Sequence, residues 1–284
     1  MILKYKVMDK NKTINQIIKE QFNPSNRLFV KLLNLQRIFL NGKVIDTRNT
    51  ASIGDELSID LNYDEDNSNI VPKKMQLDIL YEDEGLLILN KPAGCAVHPS
   101  ILHYEDSLSN GIKYYYDSIG LHKKIRPVNR LDLNTSGIIV FAKNEYIQEN
   151  LIRQMSNGTF KKEYLALAEG HFENSCGIIN APIARKENSI IERHISPDGQ
   201  TAITEYTVLK EYENYSLVRC ILHTGRTHQI RVHMAYIGHP LLGDTLYGHS
   251  SSLINRQALH SYKISFLHPI TNKMFELHVD VVFF

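Results

Sequence analysis

No stretch of this 284-residue chain approaches the roughly 20 consecutive apolar residues needed to cross a bilayer. The N-terminus, Met1-Ile2-Leu3-Lys4-Tyr5-Lys6, alternates apolar with charged residues where a signal peptide would open into an apolar run, so a cytoplasmic protein with no membrane partner is expected. Cysteine is scarce: Cys95, Cys176 and Cys220 stand far apart without a C-x-x-C pair, which excludes a disulfide framework and a thiolate zinc site. Phosphate-cradling signatures are missing as well. Neither G-x-x-x-x-G-K-S/T nor G-x-G-x-x-G occurs, nor a G-x-S-x-G nucleophile elbow, nor H-E-x-x-H. No nucleotide or other cofactor is therefore expected. No metal is expected either, because His228 and His233 are five positions apart, about 140° from each other around a helix and not on one face.

What is present is an ordinary globular balance, 43% apolar against 22% charged residues, in a length that suits one large domain or two smaller ones. Net charge is only +1, but its placement is uneven. Residues 1–62 hold 10 Lys or Arg against 6 acids, and residues 63–84 reverse this with 2 against 7. Basic residues lead again over 121–165 (8 against 4) and over 217–263, where 5 Lys or Arg face Asp244 alone beside six histidines. Such patches suit a polyanion, and each by itself equally suits a solvated face.

The sign change falls in a polar, acidic, aperiodic stretch, so residues 63–75 read as a linker between a first domain, 1–62, and a second, 76–284. The mobility of the first domain is left open. Within it, Ile14, Ile17 and Ile18 share one helical face, and Leu28, Lys31, Leu32 and Leu35 follow Pro24-Ser25 with the spacing of a second helix. A hairpin turning at Asn41-Gly42 and a strand over 54–61 come next. This αα-then-β order, with its two glycine turns, resembles the small RNA-binding domain called S4-like over residues 13–62.

Past the linker, buried-strand runs at 85–89 and 137–142, a helix capped by Asn144, and strands over 160–168, 201–209, 215–222, 263–267 and 275–281 point to an α+β domain. Its sheet is expected to be mixed and mostly antiparallel. Two segments in it are rich in reactive side chains. From Thr227, which can cap its first turn, a helix presents Ile230, Met234 and Ile237 as a buried stripe, with His228 and Arg231 together on a neighbouring face. An amphipathic helix with a solvated arginine has the same spacing. The other segment, Arg126 to Gly137, puts Asp132 beside Arg130 and just before Thr135, Ser136 and Gly137, at the mouth of a strand where loops commonly carry catalytic groups. An Asp there also fits a turn-former whose side chain bonds nearby backbone amides.

Six motifs then occur in order. They are Asn90-Lys-Pro-Ala-Gly94 with Val97-His-Pro99, Arg130-Leu-Asp-Leu-Asn-Thr-Ser-Gly137, Lys161-Lys-Glu-Tyr164, Thr224-Gly-Arg-Thr-His-Gln-Ile-Arg-Val-His233, Gly238 to Asp244 with Tyr247-Gly248, and Leu259-His260 with His268-Pro269. Together they resemble the RluA-type pseudouridine synthases over residues 76–284, a family in which an S4-like domain also precedes the catalytic one.

The resemblance implies isomerisation of uridine within RNA by a monomer, without a cofactor, and with ribosomal RNA favoured over transfer RNA. It places the essential aspartate at Asp132, the active-site tyrosine at Tyr164 and the arginine that pairs with the aspartate, in a two-pronged contact, at Arg231. Tyr164 is also the family's candidate for the base that takes the C5 proton. Arg130 matches the arginine that fills the space left by a flipped base. Thr135, Ser136, Gly137, Gly225, Arg226, Thr227, His228 and Gln229 fall on pocket and backbone contacts, and Leu259 on the apolar floor behind the uracil. One departure stands out: Asn129 replaces the family's histidine, so an amide hydrogen bond is expected where an imidazole contact would be, with a change in RNA handling.

Overall fold

The computed structural model describes residues 1–284 apart from Asp9, Val282 and Phe284. Chain order in the N-terminal unit is β1 (Ile2–Lys6), α1 (Ile14–Gln21), α2 (Asn26–Asn34), β2 (Ile38–Leu40), β3 (Lys43–Val44) and β4 (Glu56–Asp60). Thr13 starts α1 with a reciprocal capping box to Gln16, and the Ser25 hydroxyl accepts from the Leu28 amide, 3.1 Å away, at the head of α2. Ile14, Ile17, Ile18, Leu28 and Leu32 are buried as their spacing predicts, under a sheet ordered β1-β4-β2-β3. Strand β1 escapes the sequence reading because Leu3 is its single buried side chain.

The rest of the chain builds β5 (Ile79–Glu82), β6 (Leu86–Lys91), α3 (Leu108–Ser118), β7 (Arg126–Pro127), β8 (Ser136–Ala142), α4 (Glu145–Ser156), β9 (Lys161–Glu169), β10 (Cys176–Asn180), β11 (Ile183–Arg185), β12 (Arg193–Ile195), β13 (Ile203–Glu211), β14 (Tyr215–Leu222), α5 (Gln229–Tyr236), β15 (Leu259–Leu267) and β16 (Met274–His278). The large sheet runs β10-β13-β14-β9-β15-β8-β6-β5, with β16 also on β15 and β7 also on β8. Its pairings are antiparallel except at β15–β8, where His260 faces Ser136 and Ser261 faces Gly137. The mixed, mostly antiparallel sheet of an α+β protein is therefore observed. Among the described residues, no helix is long and apolar enough to cross a membrane.

That parallel step forces a close approach. Gly137 has φ +106°, and a Cβ there would lie 2.3 Å from the Ser261 carbonyl oxygen, so only glycine lets the two strands meet. The step sits beneath the loop that carries Asp132 and beside β9, where Tyr164 pairs with Ser261.

The stretch after residue 62 is packed as a strap, with Glu65 as its paired acid. Glu65 is buried and takes both ends of the Arg126 guanidinium at 2.5 and 2.7 Å, while Lys31 of α2 lies 3.3 Å from Glu65 and 3.0 Å from Glu145. Lys123 donates to the Leu61 and Tyr63 carbonyls, and both its ammonium and that of Lys31 stand 4.5 Å from the Tyr63 ring. Ser25, which caps α2, bonds Glu149 of α4. One apolar cluster runs without a break from Leu3, Ile17 and Leu32 through Leu61 and Tyr63 to Ile88, Val140 and Phe266. Within the negative block found in the sequence, Glu65 and Glu82 therefore pair with basic residues on either side of it.

Candidate active site

The loop that bears Asp132 is fixed at both ends. Val128 N–H bonds the Val140 carbonyl at 2.7 Å, and the Asn129 side chain accepts from Val140 N–H at 2.9 Å while donating to the Ile138 carbonyl at 3.4 Å. Asn129 thus spends its amide on β8, and the expected hydrogen bond runs to the protein's own backbone. On the other side, fully buried Lys91 donates to the Pro92, Cys95 and Leu133 carbonyls at 2.7–2.8 Å, and burial pushes its pKa down to about 8. Thr135 N–H closes a turn on the main-chain carbonyl of Asp132 at 3.1 Å, which leaves the carboxylate unspent.

Helix α5 begins differently from expectation. Thr227 is not its cap: His228 holds that place in the left-handed conformation, φ 57°, without a side-chain cap bond. Gln229 does the capping work, accepting from the Thr224 hydroxyl at 2.8 Å and Arg226 N–H at 2.9 Å, and donating to the Ile203 carbonyl and the Thr204 hydroxyl at 3.0 Å. All its polar atoms are occupied within the protein. The helix is buried from Gln229 through Met234, so the amphipathic picture with a solvated arginine does not hold.

Arg231 is buried in a two-carboxylate arrangement. Asp244, only 1% exposed, takes Nε and Nη2 at 2.6 and 2.8 Å, and Nη1 alone reaches Asp132, at 3.4 Å. The two-pronged contact expected for Asp132 belongs to Asp244. Burial disfavours the guanidinium charge, but the hydrogen bonds and charge of Asp244, together with the charge of Asp132, outweigh it and raise the Arg231 pKa. On its other side Asp132 has His228, with Nε2 3.9 Å from Oδ1. The Tyr247 hydroxyl accepts from Arg193 N–H at 2.9 Å and lies 2.8 Å from His228 Nδ1, so the imidazole is held on one side by Tyr247 while its Nε2 faces Asp132. Tyr247 also lies under Arg231, with the guanidinium carbon 5.0 Å from its ring centre.

Tyr164 completes the group. It is buried, and burial, then the negative charge of Asp132, hold its pKa well above the usual tyrosine value, with Ser261 working weakly the other way. The phenol is therefore held in its neutral form in the resting site. Asp132, Arg130, Tyr164, Gly225, Arg226 and Thr227 line a cleft of about 750 Å³. A recess at its end is bounded by Thr135, His228, Gln229, Arg231 and buried Leu259.

Ser136 and Gly137 are not in this constellation. The Ser136 hydroxyl bonds His260 Nδ1 at 2.8 Å and Gly137 packs on Ser261, so both shape the strand crossing beneath the site. His233 is also turned away from His228, toward the Ala181 carbonyl and the Thr204 hydroxyl, each at 2.9 Å. Sequence reasoning quoted Asp244, Tyr247 and Lys91 inside motifs and gave them no role. The one signal for Asp244 was its position as the lone acid in a basic block.

The mixed, mostly antiparallel sheet that carries this cleft has solved counterparts. The human RNA pseudouridylate synthase domain containing 1 superposes with a TM-score of 0.60 at 26% identity, over 72% of this chain and 84% of that one. The family model described as RNA pseudouridylate synthase matches residues 85–236. This is an isomerase of the pseudouridine-forming class. The chain belongs to the RNA pseudouridylate synthase family, and within it to the RluA type. It is 43% identical over 260 residues to the uncharacterized RNA pseudouridine synthase YhcT of Bacillus subtilis (strain 168), covering 91% of this chain and 86% of the relative. It is 34% identical over 284 residues to the ribosomal large subunit pseudouridine synthase D of Escherichia coli (strain K12), covering 94% and 86%.

Proposed function

We propose that the protein isomerises a uridine of large-subunit ribosomal RNA, as a cytoplasmic monomer, with Asp132 as the reacting carboxylate. The observation that carries this reading is the setting of Asp132, a carboxylate held between Arg231 and His228 at the wall of a cleft that Tyr164 also lines. Support for ribosomal RNA comes from the Escherichia coli relative, named a ribosomal large subunit pseudouridine synthase. A target uridine must leave its stack to be reached, so Arg130 takes the vacated space and Tyr164 receives the base against Leu259. The N1–C1′ bond then breaks, the uracil turns, C5 bonds C1′, and the C5 proton is lost while N1 gains one. Asp132 acts as an anion in this scheme, with Arg231 as its cationic partner. Tyr164 holds the ring in this scheme.

The N-terminal unit fits an S4-like RNA-binding domain in this scheme. Lys4, Lys6, Arg27 and Lys43 are exposed on it, and its seat on α4 makes it a fixed extension of the basic cleft.

Tritium release from RNA carrying 5-tritiated uridine tests the reading, because isomerisation expels that hydrogen. Unmodified large-subunit ribosomal RNA is expected to release tritium with the native protein and none with Asp132→Asn. Release from transfer RNA alone would reassign the substrate, and no release from either pool with RNA binding intact would refute the enzymatic reading.

A further inference from the structure

Four lysines are buried in this protein: Lys91, Lys123, Lys143 and Lys162. Three have their charge provided for. Lys91 donates to three carbonyls, Lys123 to two, and Lys143 to Glu82 and the Asp83 carbonyl. Lys162, 9% exposed, has neither a carboxylate nor a hydrogen-bond partner among the described residues. Burial alone lowers its pKa, with no neighbouring charge to offset that.

Its ammonium is not lost in the core. Lys162 shares the inner face of β9 with Tyr164, two residues on, and lines the same cleft as Asp132. Nζ reaches the loop before α5, where it lies 3.4 Å from the position a Cβ on Gly225 would take, so the missing side chain leaves open space beside the charge. The acids nearby are engaged elsewhere: Glu205 with His223 at 3.1 Å, and Asp132 with Arg231 and His228. A cation with a buried stem, no carboxylate partner and its nitrogen at the wall of an open cleft is suited to an anion from outside. A neutral carbonyl of uracil would leave that charge standing, and the anion RNA supplies is phosphate.

We propose that Lys162 is the phosphate-binding residue of this site: its ammonium takes the backbone phosphate of the flipped nucleotide while Tyr164 receives that nucleotide's base. Two residues along a strand are separated by about 7 Å, which matches the span from a base across its ribose to its own phosphate. The assignment rests on the proposed RNA reading and adds the group that sets the depth to which the nucleotide enters.

The test compares Lys162→Met and Lys162→Arg with the native protein, on whichever unmodified RNA, ribosomal or transfer, releases tritium with the latter. In Lys162→Met, KM is expected to rise about tenfold with kcat within about twofold, and the slope of log Kd against log salt to shrink by about one. The melting temperature of the RNA-free protein should rise by a few degrees, because an isosteric apolar side chain removes an uncompensated charge. Lys162→Arg keeps the cation and should restore the salt slope. A wild-type measurement stands apart from any variant: an RNA fragment with a methylphosphonate in place of the phosphate at the target uridine should show the same rise in KM. An unchanged KM and salt slope in Lys162→Met, or a methylphosphonate fragment bound as well as its parent, would overturn the proposal. Native protein that releases no tritium from any RNA would refute the functional reading instead.

Discussion

Asp244 holds Arg231 by two hydrogen bonds of 2.6 and 2.8 Å and leaves one guanidinium nitrogen to approach Asp132 at 3.4 Å. The arginine is therefore anchored by one carboxylate and offered to another. Asp244 sits on the turn after α5 and its Oδ1 also receives Leu246 N–H at 3.1 Å, so the anchor is itself tied to the backbone that follows it. Because the strong contact lies away from the cleft, Asp132 stays available for chemistry while still feeling a fixed positive charge.

The two carboxylates should separate cleanly by mutation. Asp132→Asn is expected to abolish turnover and change unfolding free energy by less than about 1 kcal/mol, since Arg231 keeps its main partner. Asp244→Asn should cost about 3 kcal/mol of stability, as breaking a buried ion pair does, and about a hundredfold in kcat. Urea unfolding alongside tritium-release kinetics distinguishes the two.

At the strand crossing, Gly137→Ala should be far worse than its one carbon suggests. The new methyl would sit 2.3 Å from the Ser261 oxygen at φ +106°, so β15 must shift, and Ser261 pairs with Tyr164 on its other side. A loss of about 3 kcal/mol or more in unfolding free energy is expected, with kcat falling in whatever fraction remains folded. Gly225→Ala makes the control, having ordinary φ and a contact of 3.4 Å, and should fold normally.

How much of this was legible follows from how each element is built. Helices α1, α2 and α4 and strands β6, β8 and β14 bury apolar residues at the period of their geometry, and the sequence pattern finds them. Helix α3 went unseen because its buried face carries Ser109, Asn110 and Gly111, with Gly111 lying under Met75. Helix α5 misled for a related reason: its hidden polar residues, Gln229, Arg231 and His233, are satisfied by partners far away in sequence, which periodicity does not report. Motif resemblance located Asp132, Tyr164 and Arg231 where composition alone left them as one reading among several. Neither route identified Asp244 as the partner of Arg231, because that pairing exists only once the chain after α5 has turned back.

Acid should weaken the fold early. Burial lowers the pKa of His98, His228, His233 and His260 below the ordinary 6.5. Just below pH 6.5 the unfolded chain therefore binds more protons than the folded one, so stability is complete above that pH and is lost as pH falls through the folded values. Each proton of difference steepens the dependence by about 1.4 kcal/mol per pH unit. Unfolding free energy measured from pH 7.5 to 5 should decline over that window, and His233→Gln, whose parent ring is wholly buried, should flatten the slope by about one proton. An unchanged slope would mean that His233 stays accessible to protons in the folded state.

The strap after residue 62 should govern whether the N-terminal unit stays seated. Glu65 is its buried hinge pin, paired with Arg126 and Lys31 from the two sides it joins, and Glu145 stands 3.5 Å from Arg126 as a partial substitute. Glu65→Ala leaves Arg126 with that weaker partner, so about 2 kcal/mol of the seating free energy should be lost, not the full penalty of an orphaned buried charge. In the native protein the 63–75 segment is expected to resist limited proteolysis despite its polar sequence, and in Glu65→Ala it should be cut first. Turnover on a short RNA fragment should survive that cut, because Asp132, Tyr164 and Arg231 all lie beyond it. If turnover on the full RNA falls at the same time, the N-terminal unit acts by holding RNA at a fixed distance from the cleft, and the acidic block exists to hold that unit in place.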